Sequence, residues 1–285
     1  MGRVGRDQSL RAIAAALDGG ITHFDVARLY GYGEAEALVG EALAGCRDRV
    51  VIASKFGLTA TRAAGALRAL KPIAQRLAAS VPGARSMMRS LVGVAAQPAD
   101  RFSVASAQIS LNESLAALNT DYLDILFLHD CAAGDLSDEL AWFLDRQLAA
   151  GKIRTWGVAS DITAVAPLYA AHGDRLVYQF PNGMTAPNPD RLPARGRRFI
   201  CHSPFAGSAA VAAGLAGRLS SGNIHHAMLG YAMSVPNVAV VLCSMLGEAH
   251  LRANLDTVEH PRFNAEELRG FAARLAEPIN RAPAA

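Results

Sequence analysis

The chain alternates short apolar runs with longer segments whose apolar residues recur at helical spacing. An alternation of strands and helices predicts a parallel sheet connected by right-handed helical crossovers. The short runs are apolar on both faces, as expected for strands of a barrel wall that helices cover. The predicted strands are residues 21–24, 50–54, 123–128, 155–159, 176–180, 199–202 and 238–242. The predicted helices are residues 9–18, 34–44, 105–118, 138–149, 162–171, 223–234 and 248–255.

The fold class predicted by this order is α/β, of the (β/α)8 TIM-barrel type. With 285 residues the chain is long enough for one such barrel, so a single domain over residues 1–285 is expected. Only seven strands are predicted, because residues 1–8 are too short and too polar to give another. A long insertion at about 57–101 carries apolar residues at helical spacing. It fits a lid over the substrate and an excursion packed on the barrel equally well.

Composition excludes several classes of protein. The net charge of +3 is small and arginine is scattered, so nucleic acid is not an expected partner. Cys46, Cys131, Cys201 and Cys243 have no metal-like spacing, which favours free thiols in a reducing cytoplasm. No signal peptide and no apolar segment long enough to span a membrane is recognised. A cytoplasmic protein that binds no metal, membrane or nucleic acid is therefore expected.

Polar residues stand where three of the apolar runs end. Asp25 ends the first run, Lys55 the second and His129 the third, and Tyr30 follows Asp25 in a glycine-rich loop. Apolar runs usually end in Gly, Pro, Asn or Asp, so a lysine and a histidine are unusual there. Each residue alone also fits a structural role, as a turn former, a surface lysine or a hydrogen-bonded histidine. All of them in this order are harder to explain in that way.

The loop after the first run reads D-x-A-x-x-Y-G-x-G-E-x-E, and this motif resembles the aldo-keto reductase family. The resemblance implies that Asp25, Tyr30, Lys55 and His129 form a catalytic tetrad. Tyr30 would be the general acid in carbonyl reduction and the base in alcohol oxidation. Lys55, held by Asp25, would tune the acidity of Tyr30, and His129 would orient the carbonyl. The implied substrate is an aldehyde, a ketone or a sugar-type alcohol, and the implied cofactor is NADP or NAD.

The resemblance also implies a set of cofactor-binding residues, several of which depart from the family. Asp161 stands where the family has asparagine, and His202 stands where it has a stacking tyrosine. At the adenosine end, Ser244 and His250 replace residues that are often basic, so tolerance of NADH or weak dinucleotide binding is expected. The complete set is Ser160, Asp161, Gln179, His202, Ser203, Ser244, His250 and Asn254.

Two departures keep a second function open. The family's first barrel strand is missing, and the sheet edges left open beside the strands at 21–24 and 238–242 are expected to promote self-association. Together with the altered cofactor residues, this favours a cofactor-sensing or interaction protein with little turnover. The complete tetrad favours an NAD(P)-dependent oxidoreductase, because a protein that only binds has no need of all its members.

Overall fold

The structure is a computed structural model that describes residues 5–58, 100–193, 198–245 and 247–276. Most of the predicted insertion at 57–101 lies outside these residues. The strands are β1 His23–Asp25, β2 Val51–Phe56, β3 Leu123–His129, β4 Ile153–Ala159, β5 Val177–Pro181, β6 Phe199–His202 and β7 Val238–Leu242. The helices are α1 Arg6–Asp18, α2 Ala35–Leu43, α3 Val104–Leu118, α4 Asp138–Ala149, α5 Ile162–His172, α6 Ser208–Gly214, α7 Ser221–Ser234, α8 Glu248–Glu259 and α9 Ala265–Ala276.

The strands confirm the predicted fold class. They follow one another in the sheet in chain order from β1 to β7. Parallel pairing joins β1 to β2, β2 to β3, β4 to β5, β5 to β6 and β6 to β7. This is the β/α architecture of the TIM-barrel type with seven strands. Within residues 5–58, the first element is α1, so no strand precedes that helix there. Helices α6 and α9 are not among the helices predicted from the sequence.

The chain divides into two compact units, Met1–Trp156 and Gly157–Ala285. The organisation as a single domain over 1–285 stays a prediction. In the first unit, β1 pairs with β2 and β2 pairs with β3. Ile52, Phe56, Leu126 and Leu128 are completely buried on these strands. The rigid sheet they form fixes the polar residues at its carboxyl end.

The second unit has its own apolar core beyond the strands β5, β6 and β7. Met184 follows β5 and packs with Val211 of α6, with Met228 and Tyr231 of α7, and with Leu268 of α9. Burial and Asp190 raise the pKa of Tyr231 to about 12, burial being the larger cause. This cluster holds α6, α7 and α9 together within the unit.

Strands β1 and β7 stand first and last in the strand order. β1 is short, at 3 residues, and a short edge strand offers few backbone groups to another chain. Self-association through these strands stays a prediction. In the described part of the chain, no helix is long and apolar enough to cross a membrane.

A close approach of α2 to the end of α3 makes Gly40 a stability-determining residue. A Cβ on Gly40 would lie 2.4 Å from the backbone oxygen of Leu118. We expect Gly40→Ala to lower the free energy of unfolding by about 1–3 kcal/mol, because the two helices must move apart. Urea unfolding measures it. The matched control is Gly45→Ala in the turn after α2, where an added Cβ meets nothing within 4 Å. Equal unfolding free energies for the two variants would contradict the close approach.

Candidate active site

A buried ion pair joins the ends of β1 and β2. Asp25 is the last residue of β1 and pairs in register with Ala53. Lys55 lies two residues beyond Ala53 and so projects from the same face of the sheet. The Lys55 ammonium bonds to Oδ1 of Asp25 and also donates to the backbone oxygen of Val26 at 3.1 Å. The lysine side chain is only 1% exposed, so the carboxylate is the counter-charge that makes its burial tolerable.

Tyr30 is presented by a tight glycine-rich turn. Its backbone N–H donates to the oxygen of Ala27 at 2.9 Å, and a 3-10 helix runs over Tyr30–Gly33. Gly31 and Gly33 have φ of 62° and 92°, a region that residues with a side chain rarely adopt. The glycines of the motif therefore make the turn possible. Tyr30 is 39% exposed, so its ring is open to solvent and to a ligand.

His129 and Lys55 both lie beside the ring of Tyr30. His129 ends β3, two residues past Phe127, the register partner of Lys55, so both project from one face of the sheet. The rings of Tyr30 and His129 meet edge to face, with centroids 5.9 Å apart and planes at 87°. The Lys55 Nζ lies 5.1 Å from the centroid of the Tyr30 ring. The structure thus brings the four predicted catalytic residues together at the carboxyl end of β1, β2 and β3.

The second glutamate of the motif, Glu36, is a buried residue that helps to hold the strand carrying Lys55 in place. Glu36 of α2 is 3% exposed and Ser54 of β2 is completely buried. The Ser54 hydroxyl donates to Oε1 of Glu36 at 2.6 Å. Because Ser54 directly precedes Lys55, this bond ties the start of α2 to the part of β2 that carries the lysine.

His23 was missed at the level of sequence. It is the first residue of β1, two before Asp25, so both project from the same face of the strand. Its Nε2 is buried and has no hydrogen-bond partner in the structure. Burial lowers the pKa of His23 and Lys55 lowers it further, while Asp25 and Asp124 act in the opposite direction. The alternation of side chains along a strand could have predicted it, because His23 lies two residues before Asp25 and so shares its face of β1.

The predicted nicotinamide residues lie in the second unit, at the ends of β4 and β5. Ser160 and Gln179 are buried, and the backbone N–H of Ser160 donates to the oxygen of Gln179 at 3.1 Å. Asp161 is exposed and directly precedes α5 as its N-cap, where its backbone oxygen accepts from Ala164 and Val165 at 3.0 Å each. The departure from asparagine therefore falls on a helix-capping position rather than on a buried one.

The next two predicted residues, His202 and Ser203, lie at the end of β6 and directly after it. His202 pairs with Pro181 of β5, and its Nδ1 lies 2.8 Å from the Ser203 hydroxyl. Ser203 has a φ of 59°, which is uncommon for a residue with a side chain. Strained backbone of this kind is often found at ligand sites.

The residues predicted for the adenosine end are only partly brought together. Asn254 of α8 is 7% exposed, and its Oδ1 lies 3.0 Å from Nε2 of His225. The His225 ring stacks on Phe205 with centroids 4.5 Å apart. Burial lowers the pKa of His225, and His250 lowers it further. His225 and Phe205 had no sequence signal, because both contacts are made between distant parts of the chain.

The other two adenosine-end residues, Ser244 and His250, are exposed. The nearby Arg252 forms an ion pair with Glu248 at 2.8 Å. This cation is thus already engaged with a carboxylate on its own helix.

Asn182 is a further buried polar residue that sequence reasoning missed. It directly follows β5, and its backbone N–H donates to the oxygen of His202 at 2.9 Å. The side chain is 1% exposed, yet neither end of its amide has a hydrogen-bond partner in the structure. A buried amide without partners is costly, and a polar group of a ligand is one way to satisfy it.

Comparisons with known proteins identify the family. The model of the aldo/keto reductase family matches residues 1–173. The chain therefore belongs to this family. It is 26% identical over 278 residues to the methylglyoxal reductase YeaE of Escherichia coli, which covers 92% of this chain and 80% of that protein.

Solved structures agree on the fold. An aldo-keto reductase of Bacillus halodurans in its holo form superimposes with a TM-score of 0.71 at 20% identity, over 96% of this chain and 89% of that one. An aldo-keto reductase of Klebsiella pneumoniae in complex with NADPH gives a TM-score of 0.65 at 22% identity, over 99% of this chain and 90% of that one. At these identities the likeness concerns the fold alone.

Proposed function

We propose that this chain is an NAD(P)-dependent oxidoreductase of the cytoplasm that reduces the carbonyl group of an aldehyde, a ketone or a sugar-type substrate. The observation that carries the proposal is the cluster around Tyr30. A buried Lys55–Asp25 pair and His129 both stand beside the ring of a tyrosine that is open to solvent. A phenol can protonate a developing alkoxide, and an ammonium and an imidazole beside it can stabilise the charges that arise.

The second unit offers groups that suit a dinucleotide. Ser160 and Gln179 supply a buried hydroxyl and a buried amide, and the orphaned amide of Asn182 lies next to β5. Such groups pair well with a carboxamide, which both donates and accepts hydrogen bonds. The bound dinucleotide would supply the hydride.

The chain's own residues would handle the proton. Tyr30 donates its phenolic proton to the carbonyl oxygen as negative charge develops there. His129 donates an N–H to the same oxygen and fixes its direction. The Lys55 ammonium stabilises the phenolate that Tyr30 becomes, and Asp25 keeps that ammonium in place. Because Tyr30 is 39% exposed, solvent can return its proton after each turnover. In alcohol oxidation the same groups act in reverse.

The relatives suggest the class of substrate. YeaE is described as a methylglyoxal reductase, and methylglyoxal is a small dicarbonyl compound. We therefore propose small aldehydes and ketones as the first substrates to examine. Methylglyoxal is the natural starting probe.

A second candidate is a cofactor-sensing or interaction protein with little turnover. Two features favour it, because both lower the expected affinity for a dinucleotide. Ser244 and His250 are exposed, and His202 replaces the stacking tyrosine. One experiment separates the two functions: titrate the purified protein with NADPH and with NADH by dinucleotide fluorescence, then add methylglyoxal and other carbonyl compounds. Saturable binding with turnover supports the enzyme. Binding with no turnover across the panel favours the sensor, and no binding overturns both.

The preference between the two dinucleotides is expected to be small. Neither Ser244 nor His250 supplies a permanent positive charge for a 2′-phosphate, and Arg252 is paired with Glu248. We expect NADPH to bind less than about a hundredfold more tightly than NADH, which corresponds to less than about 2.7 kcal/mol. His250→Arg is expected to raise the preference for NADPH. A preference above a hundredfold in the unaltered protein would show that another cation holds the phosphate.

A further inference from the structure

The ion pair that carries the proposed function has a third ionisable neighbour. His23 and Asp25 are alternate residues of β1 and project from one face of that strand. The Nε2 atom of His23 is buried and makes no hydrogen bond in the structure. A neutral imidazole can leave one nitrogen bare at modest cost, whereas an imidazolium carries N–H groups on both nitrogens and needs acceptors for them.

The charges that act on His23 within the first unit come from its own strand and from two other strands of the sheet. They are Asp25 on β1, Lys55 on β2 and Asp124 on β3. Asp124 is already engaged, since it accepts from the backbone of Ile52 at 2.9 Å and pairs with Arg47 at 2.8 Å. Asp25, the nearest of the three to His23 in sequence, holds the Lys55 ammonium. A proton on His23 would therefore set two cations in competition for the Asp25 carboxylate.

We propose that His23 is a positioning residue that keeps the Asp25–Lys55 pair intact while its ring is neutral and disrupts that pair when the ring is protonated. The inference rests on the proposed function, because the pair matters for turnover only if Tyr30 is the acid. A charged His23 draws Asp25 away from Lys55, and the ammonium beside Tyr30 then keeps only its bond to the backbone oxygen of Val26. Turnover falls at acid pH, while dinucleotide binding changes little.

The burial that lowers the pKa of His23 gives the direction of the stability change with pH. Below the ordinary histidine pKa of about 6.5, the unfolded chain takes up a proton that the folded protein resists. The stability that this neutral histidine contributes is therefore present above that pH. It is lost as pH falls through the lowered pKa of the folded state. Turnover depends on the folded protein alone, so its loss should follow the lowered pKa of the folded state.

The first test is a ring titration by NMR, which does not depend on turnover. The His23 signal is assigned by its absence from a His23→Gln variant. We expect its pKa to lie below the ordinary value, to fall further in Asp25→Asn and to rise in Lys55→Met. If Lys55→Met does not fold, the Asp25→Asn variant alone decides. A His23 pKa that is the same in the parent and in Asp25→Asn would overturn the proposal.

The second test is the pH dependence of turnover. In the parent we expect kcat to fall by about threefold or more along an acid limb that lies below the ordinary histidine pKa of about 6.5, and in His23→Gln this limb should largely disappear. His172→Gln, at the end of α5 in the second unit, is the matched control and should keep the fall of the parent. A His23→Gln variant with the acid limb of the parent would overturn the proposal. A protein with no turnover at any pH would instead contradict the proposed function, and the ring titration would still show whether His23 responds to the pair.

Discussion

Replacement of Tyr30 by phenylalanine is expected to lower kcat by about a thousandfold, within the range of about 10²–10⁴ that general acid catalysis contributes. The substitution removes the phenolic proton and leaves the ring that contacts His129 and faces Lys55. The hydroxyl acts on the transition state, so the dissociation constant of the dinucleotide should stay nearly constant. Dinucleotide oxidation followed by absorbance gives kcat, and fluorescence titration gives the dissociation constant.

The matched control is Tyr122→Phe in the same unit. Tyr122 directly precedes β3 and stacks its ring against Arg47 and Arg154, at 3.9 and 4.3 Å from the ring centroid. The same phenol-to-phenyl change there should leave kcat and binding close to those of the parent. If Tyr30→Phe also kept kcat within a few-fold of the parent, Tyr30 would not be the acid.

Replacement of Lys55 by methionine is expected to abolish turnover and also to destabilise the protein. The Lys55 side chain is 1% exposed and Asp25 is 11% exposed, so the variant leaves a carboxylate mostly buried and without its counter-charge. Breaking a buried ion pair on one side typically costs about 3–5 kcal/mol. Urea unfolding measures this loss, and the assay used for Tyr30→Phe measures kcat.

The double variant Lys55→Met with Asp25→Asn separates the two effects. With the charge on residue 25 removed, much of the lost stability should return, because no uncompensated charge remains. Turnover should not return, since the ammonium beside Tyr30 is still absent. A double variant as unstable as Lys55→Met alone would mean that lost packing, not the unpaired charge, causes the destabilisation.

The polar residues at the strand ends could be predicted because two simple rules act on them. An apolar run of this length and composition forms a buried strand, and parallel strands present their carboxyl ends at one edge of the sheet. The places of Asp25, Lys55 and His129 follow directly from these rules. The place of Tyr30 follows from the glycines that allow the turn after β1. Their roles in catalysis remain a proposal.

Strand boundaries were less predictable, because neighbouring elements compete for the same backbone. Ile21 begins the first apolar run but lies outside β1, since its N–H donates to the oxygen of Ala16 at 2.9 Å and completes the end of α1. The predicted second strand ends at residue 54, whereas β2 continues to Phe56. Phe56 belongs to β2 because it pairs with Leu128 and packs against Phe102, with ring centroids 5.9 Å apart.

Contacts between residues far apart in the chain could not be predicted from the sequence, for a different reason. The bond between His225 and Asn254 joins two helices, and the lack of partners around Asn182 depends on everything that surrounds it. Neither feature changes the periodic pattern of apolar residues from which strands and helices are predicted. The same holds for the Glu36–Ser54 bond, although the motif that contains Glu36 was recognised.

The proposed function requires that this chain transfer a hydride from a nicotinamide to a carbonyl carbon while Tyr30 supplies the proton. The most direct measurement is the fate of deuterium in a reaction with NADPH labelled at C4 of the nicotinamide, tested with each of the two labelled epimers and with methylglyoxal as the first substrate. We expect mass spectrometry to find one deuterium on the reduced carbon of the product with one epimer and none with the other. We also expect Tyr30→Phe to form the same labelled product far more slowly. A reduced product without deuterium from either epimer, or no reduced product from any carbonyl compound although the dinucleotide is bound, would contradict hydride transfer by this chain.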